Sequence, residues 1–319
     1  MKKVLIATTA LVLSAGVAAA DVTISGYGRT GVDYQEDRGF GLNDSQIISR
    51  LRMNLDASSS SDQGVEFGAR FRMQWDQNSS ARGEGGTINA GKLWIRSSGM
   101  TVSVGNVDGA FDTAAGLYNG ELGYQDRSFG DPHPEANFFS YTSSKYSNVN
   151  RLGVNAAYDM GPYHAELSYI DPDQTGANEA GDGFQEEIAM NLSYDADVWG
   201  AAFGAAKDGG GQDNNDLYYL GGWYNFNDRG MVGVKWIDNG EDGGGNDIGN
   251  TVTLYGTYEV APLTTVIGYV ANNDYIGNVE DTVYGIGAQY DLGGARLAGG
   301  IEKGFDDNMR ADMGLRFDF

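Results

Sequence analysis

The chain contains no cysteine, which excludes a disulfide framework, a thiolate metal site and a thiol nucleophile. Its two histidines, His133 and His164, stand at no metal-ligand spacing, and no G-x-S-x-G segment occurs. Catalysis therefore lacks its usual parts, and the chain is not expected to be an enzyme. Basic residues are scarce: 21 lysines and arginines face 44 aspartates and glutamates, a formal net charge of −23. So acidic a chain repels phosphate backbones, which argues against nucleic acid as a partner. Proline is rare, at five residues. Beyond the N-terminus, no apolar run approaches the ~20 residues that a spanning helix needs.

What is abundant points elsewhere. Forty-nine glycines and 19 tyrosines suit tight turns, strands and interfacial rings better than helices. Evenly recurring aromatics argue against disorder. At the N-terminus, Lys2 and Lys3 precede the apolar stretch Val4 to Leu13, and Ala18, Ala19 and Ala20 form a small-residue cleavage site. Residues 1–20 are thus expected to be an export signal, leaving a single unit over 21–319.

Met309 to Phe319 carries the sharpest pattern. Ala311, Met313, Leu315, Phe317 and Phe319 fall on one side of an extended strand, and Arg310, Asp312, Gly314, Arg316 and Asp318 on the other. An apolar edge of this kind invites aggregation in water. It is tolerated where the last strand pairs with the first and its outer face meets lipid.

About sixteen strands are expected, over 22–34, 47–57, 64–76, 86–97, 101–106, 149–158, 162–170, 184–194, 198–206, 216–225, 230–237, 250–258, 263–271, 282–290, 295–302 and 309–319. Short turns such as 159–161, 195–197 and 227–229 alternate with long polar loops such as 35–46, 171–183 and 238–249. That sorting indicates an all-β, sixteen-stranded antiparallel transmembrane β-barrel in an outer membrane, with outer-membrane lipid and lipopolysaccharide around it. Segment 137–146 also has strand character. It is read as the top of a long sixth strand or part of the preceding loop, since counting it separately breaks the even parity.

Alternation sets the faces. Val22, Ile24, Gly26, Gly28, Thr30 and Val32 oppose Thr23, Ser25, Tyr27, Arg29 and Asp33. Leu51, Met53 and Leu55 oppose Arg50, Arg52 and Asn54, and Phe67, Phe71 and Trp75 oppose Arg70 and Arg72. An arginine on lipid at mid-depth costs about 2–4 kcal/mol, so the arginines fix the inward face. The outward Gly26 and Gly28 leave a flat surface, expected as a subunit contact.

Arg29, Arg50, Arg52, Arg70 and Arg72 are expected to meet near mid-height on one wall of the lumen. The longest loop, 107–136, holds Asp108, Asp112, Glu121, Asp126, Asp131 and Glu135. Folded inward, its carboxylates would face the arginines across a narrow watery gap, the arrangement by which pores filter small solutes. The plainer reading is that the arginines merely pair with acids in a polar interior.

Other matches carry less. Gly26-Tyr-Gly28-Arg-Thr-Gly31 fits a dinucleotide fingerprint but lies within a strand with no helix following. No cofactor is expected. Glycine-acid loops lack calcium-repeat spacing, although adventitious calcium at the acidic rim fits their carboxylates.

The chain resembles the general diffusion porins of Gram-negative outer membranes, in their alphaproteobacterial branch. The likeness rests on Asp21-Val-Thr-Ile-Ser-Gly-Tyr-Gly-Arg29, Ser49-Arg-Leu-Arg52, Gly64-Val-Glu-Phe-Gly-Ala69, Tyr284 to Gly294 and Ala311 to Phe319. It implies a homotrimer of sixteen-stranded barrels with the third external loop forming an eyelet, and passive diffusion of small hydrophilic solutes and ions. It also implies that the family's basic cluster maps onto the five arginines and its acidic loop onto the six carboxylates. The enterobacterial Pro-Glu-Phe-Gly-Gly-Asp loop motif is absent, and Phe129 to Glu135 stands in its place. Alternatives are a channel preferring a sugar or organic acid, and a secreted soluble β-protein binding calcium or carbohydrate.

Overall fold

A computed structural model describes residues 21–39, 41–77, 86–127, 151–176, 185–242 and 244–319. The strands are β1 (Asp21–Gln35), β2 (Ser45–Ser60), β3 (Glu66–Gln77), β4 (Thr87–Ile88), β5 (Lys92–Ser97), β6 (Met100–Gly105), β7 (Leu152–Met160), β8 (Tyr163–Asp171) and β9 (Glu187–Asp195). They continue as β10 (Trp199–Lys207), β11 (Leu217–Phe226), β12 (Gly230–Asp238), β13 (Asn250–Ala261), β14 (Thr264–Asn273), β15 (Thr282–Asp291), β16 (Arg296–Lys303) and β17 (Met309–Asp318). β4 and β5 both pair with β3, Ile88 opposite Met73 and Ile95 opposite Phe67. They are two pieces of one stave broken at residues 89–91, so 17 segments fill sixteen positions.

Every pairing is antiparallel, and β17 closes the sheet onto β1 from Tyr27–Asp318 to Gln35–Arg310. Gly26 and Phe319 complete the seam by exchanging backbone hydrogen bonds of 2.8 and 3.0 Å. Closure matters because hydrocarbon offers no partner to an unpaired strand edge. The expected sixteen-stranded barrel is thus present, with the fourth stave interrupted and the sixth spanning Leu152–Met160 among the described residues. The export segment, the 137–146 stretch and His133 lie outside the described residues.

Short turns gather at one end and long loops at the other. Between β11 and β12, Asn227 (φ 56°) and Asp228 (φ 49°) both take the left-handed conformation. Consecutive left-handed residues match the right-handed twist of hairpin strands, and Asn and Asp tolerate that region better than most residues. The outward faces carry exposed apolar side chains, among them Leu51, Phe67, Phe71 and Trp75, while Gln74 on the other face of β3 is buried. Tyrosines recur outward at a six-residue interval in β8 (Tyr163, Tyr169), β11 (Tyr218, Tyr224) and β15 (Tyr284, Tyr290). That interval spans roughly 20 Å along a strand and sets two aromatic belts, one near each end.

The expected flat surface at Gly28 is occupied by the chain itself. A Cβ on Gly28 would fall 2.5 Å from the ring of Phe317, so the last strand's aromatic lies over this glycine.

Candidate functional site

β1, β2 and β3 present their arginines to one another because each pairing holds inward residues opposite inward residues. Tyr27 stands across from Arg52, and Arg29 across from Arg50. On the next interface Arg50 faces Asp76, Arg52 faces Gln74, Asn54 faces Arg72 and Asp56 faces Arg70. The side chains use that register. Arg70 forms a forked pair with Asp56, Nε–Oδ1 2.6 Å and Nη2–Oδ2 3.1 Å. Arg72 donates to Asn54 Oδ1 at 2.7 Å, Arg52 to Gln74 Oε1 at 2.5 Å, and Arg50 to Asp76. Each arginine thus leans on a neutral amide or a carboxylate directly across the ladder, which offsets repulsion among them.

Two further arginines extend the cluster across the barrel seam. Arg316 on β17 pairs with Arg29, and Arg296 on β16 pairs with Arg316. Arg296, Arg316, Arg29 and Arg50 therefore form a transverse row over four adjacent strands. Asp126 of the long loop is clasped between Arg296 and Arg316, while Arg29 donates to the Gln125 carbonyl. Four like charges in neighbouring register need such counter-groups.

The loop after β6 runs inside the barrel along the wall opposite β2 and β3. It is fixed strand by strand. Ala110 N donates to Ser168 Oγ on β8 at 2.8 Å, and Asn191 on β9 donates to Ala110 O at 2.6 Å. Tyr219 on β11 donates to Ala115 O at 2.8 Å. Lys235 on β12 donates to Asn119 O at 2.8 Å, Gly116 O at 3.4 Å and Leu117 O. Asn119 Nδ2 reaches Tyr255 on β13 at 3.2 Å. Finally Tyr124 donates to Ile48 O at 3.1 Å, having crossed to the β1–β2 side.

Beneath the loop, Phe111, Leu117 and Leu122 pack with Leu217, Tyr219, Ile237 and Tyr255 into an apolar core within the barrel. Small inward residues make room for it. A Cβ on Gly285 would lie 2.5 Å from Leu122, and one on Gly314 would lie 2.6 Å from the Tyr124 ring.

The carboxylates are spread along this path. Asp108 lies 3.6 Å from Lys92, which pairs across the ladder with Arg70. Asp112 accepts a hydrogen bond from Tyr118. Burial pushes the Asp112 carboxyl above its ordinary range, against the opposing pull of the Tyr118 hydrogen bond, Arg151 and Arg72. Glu121 acts electrostatically on Lys235. Asp126 touches the arginine row itself, and Asp131 and Glu135 lie outside the described residues. Of the five expected arginines, Arg29, Arg50 and Arg52 converge around Tyr27; Arg70 and Arg72 sit further along with Lys92.

No group of three or more His, Asp or Glu residues placed to hold a metal occurs among the described residues. Loop acids instead satisfy backbone donors. The Asn246 side-chain amide, with Asn246 N at 2.9 Å and Gly244 N at 2.8 Å, donates to Asp242 and holds its carboxyl below the usual range.

Comparison with known proteins agrees with the barrel fold. The profile of the Gram-negative porin family matches residues 7–308. A porin of Fuscovulum blasticum is 42% identical over 304 residues, covering 94% of this chain and all of the relative. A porin of Rhodobacter capsulatus is 27% identical over 335 residues, with 94% and 100% coverage. Among solved structures, a mutant of the Rh. blastica porin superposes with a TM-score of 0.81 at 39% identity, covering 93% of this chain and all of that one.

Proposed function

Because the chain belongs to the Gram-negative porin family, and so forms a diffusion channel in the outer membrane, we propose that its channel is narrowed between the arginine wall and the inward loop. The wall comprises Arg29, Arg50, Arg52, Arg70 and Arg72, extended by Arg316 and Arg296. Along the loop, Asp112 and Glu121 supply negative charge opposite it, Asp108 and Asp126 meet its two ends beside Lys92 and the Arg296–Arg316 pair, and Asp131 and Glu135 add acidic groups further along the sequence. The observation that carries this reading is the transverse row Arg296–Arg316–Arg29–Arg50, formed by direct pairing of four strands.

Charge of opposite sign on facing walls puts a field across the water path. A hydrated ion or small polar solute must cross that field, whereas an apolar solute loses ordered water and gains nothing. The chain's role is therefore passive filtering by size and polarity, with no chemical step. Overall acidity adds a cation-attracting potential at the mouths. The unit is the single barrel over 21–319 following a cleaved export segment, assembled as a homotrimer, as the family resemblance implies; any calcium binds adventitiously at the loop rim.

Reconstitution into planar bilayers tests the reading. Arg50→Ala with Arg52→Ala is expected to shift the reversal potential in a salt gradient toward cation preference. An unchanged reversal potential contradicts the constriction. Block of the ion current by a sugar or organic acid at micromolar to millimolar levels would instead favour a solute-preferring channel.

A further inference from the structure

Tyr27 occupies a place that the charge pattern does not explain. It projects inward from the middle of β1, directly opposite Arg52 and Asp318 and diagonal to Arg50 and Arg316. The guanidinium carbon of Arg316 lies 4.2 Å from the ring centroid, that of Arg52 5.1 Å and that of Arg29 6.0 Å. Arg50 Nη1 donates to the Tyr27 hydroxyl at 3.3 Å. Four cations thus surround one phenol ring.

We propose that Tyr27 is the positioning residue that gathers Arg29, Arg50, Arg52 and Arg316 onto one point of the lumen wall and so sets the pore's preference between anions and cations. This rests on reading that wall as the constriction.

Electrostatics governs this cluster. Four guanidiniums converging on one ring repel each other, and in water each pair at ~4 Å costs about 1 kcal/mol. Acceptors other than the ring hold each one in part: Asp76 for Arg50, Gln74 for Arg52, the Gln125 carbonyl for Arg29, and Asp126 and Asp318 for Arg316. Asp76 and Gln74 draw Arg50 and Arg52 toward β3, whereas Gln125 and Asp126 draw Arg29 and Arg316 toward the loop, so these acceptors by themselves split the four into two pairs. The electron-rich face and hydroxyl of Tyr27 supply the pull toward a common centre. A tyrosine fixes that centre with few rotatable bonds, so the concentrated charge stays in register.

Reversal potentials in a dilute salt gradient test the assignment. Tyr27→Leu is expected to raise the cation-to-anion permeability ratio about twofold, and Tyr27→Phe, which keeps the ring, by less. At about 1 M salt, where the Debye length is ~3 Å, the variants should converge on the parent. Tyr27→Met serves where Tyr27→Leu yields no heat-modifiable barrel. If Arg50→Ala with Arg52→Ala moves the potential and the Tyr27 variants do not, the positioning role is overturned while the constriction stands. If the double arginine variant is itself silent, the constriction reading fails first. An effect of Tyr27→Leu that persists at high salt with altered conductance signals a deformed pore, and also overturns the proposal.

Discussion

The ammonium of Lys235, buried on β12, donates to the carbonyl oxygen of Asn119 in the inner loop across 2.8 Å. The same nitrogen reaches the carbonyls of Gly116 and Leu117 and sits 5.1 Å from the centroid of the Tyr255 ring. One side chain therefore closes the acceptors of a whole loop turn against the barrel wall. Lys235→Met keeps the volume and deletes every donor. Gly116 O keeps the Asn119 N–H at 3.1 Å, but leaving the buried Leu117 and Asn119 carbonyls without this donor costs about 1–3 kcal/mol each, reduced where water enters. The expected outcome is a loop that detaches more often, read as increased open-channel current noise and faster amide exchange at Leu117. Unaltered noise and exchange would mean that apolar packing alone holds the loop.

Asp126 offers a second test. It accepts hydrogen bonds from both Arg296 and Arg316, which face each other across the β16–β17 ladder. Asp126→Asn removes the negative charge while keeping the shape. The row then gains net positive charge, and anion permeability relative to cations should rise roughly two- to threefold at low salt. A shift toward cations would contradict the placement of this carboxylate.

Asp112 gives a pH signature. Its carboxyl is raised above the ordinary value of 3.8, chiefly by burial. The sign follows: the neutral form is favoured in the folded loop, so its stabilising effect is complete below the ordinary value and is lost as pH rises through the raised one. For conduction the consequence is reversed, because the negative charge exists only above the raised value. Acidification toward the ordinary carboxylate range should lower cation preference earlier than the exposed acids do. Asp112→Asn should flatten that step in a reversal-potential titration, and an identical titration curve would refute it.

The barrel was legible because lipid outside and water inside impose a period of two on every strand. Loop length then marked the two ends. Arg50 and Arg52 were legible for the same reason, since charged residues alternating with Leu51 and Met53 have one face to occupy, and Arg29 followed from Ile24 and Val32 on the opposite face of its strand. Arg316 and Arg296 were missed as members of the row because that row exists only once β17 is paired with β1. The inward position of Arg316 was visible, but its neighbours depend on the register of closure. Lys235 and the apolar core under the loop were missed for another reason. A lumen was expected to be polar throughout, yet the loop dries one wall. The signal was present in the small inward residues of β10, Gly200, Ala202, Gly204 and Ala206, which leave space for another chain segment. The carboxylates were hardest to place, since a loop's acids follow no period and their partners sit on distant strands.

The partition between lipid and water is tested most directly by single-cysteine labelling, made clean by the absence of any native cysteine. Phe67→Cys and Arg70→Cys lie three residues apart on β3 and on opposite faces. In the reconstituted barrel, a membrane-impermeant, water-soluble thiol reagent should modify the probe at position 70 and reduce ion current. The probe at position 67 should resist it and instead be quenched by lipid-borne quenchers once labelled. Rapid aqueous labelling at 67 with lipid quenching at 70 would contradict the account at its base.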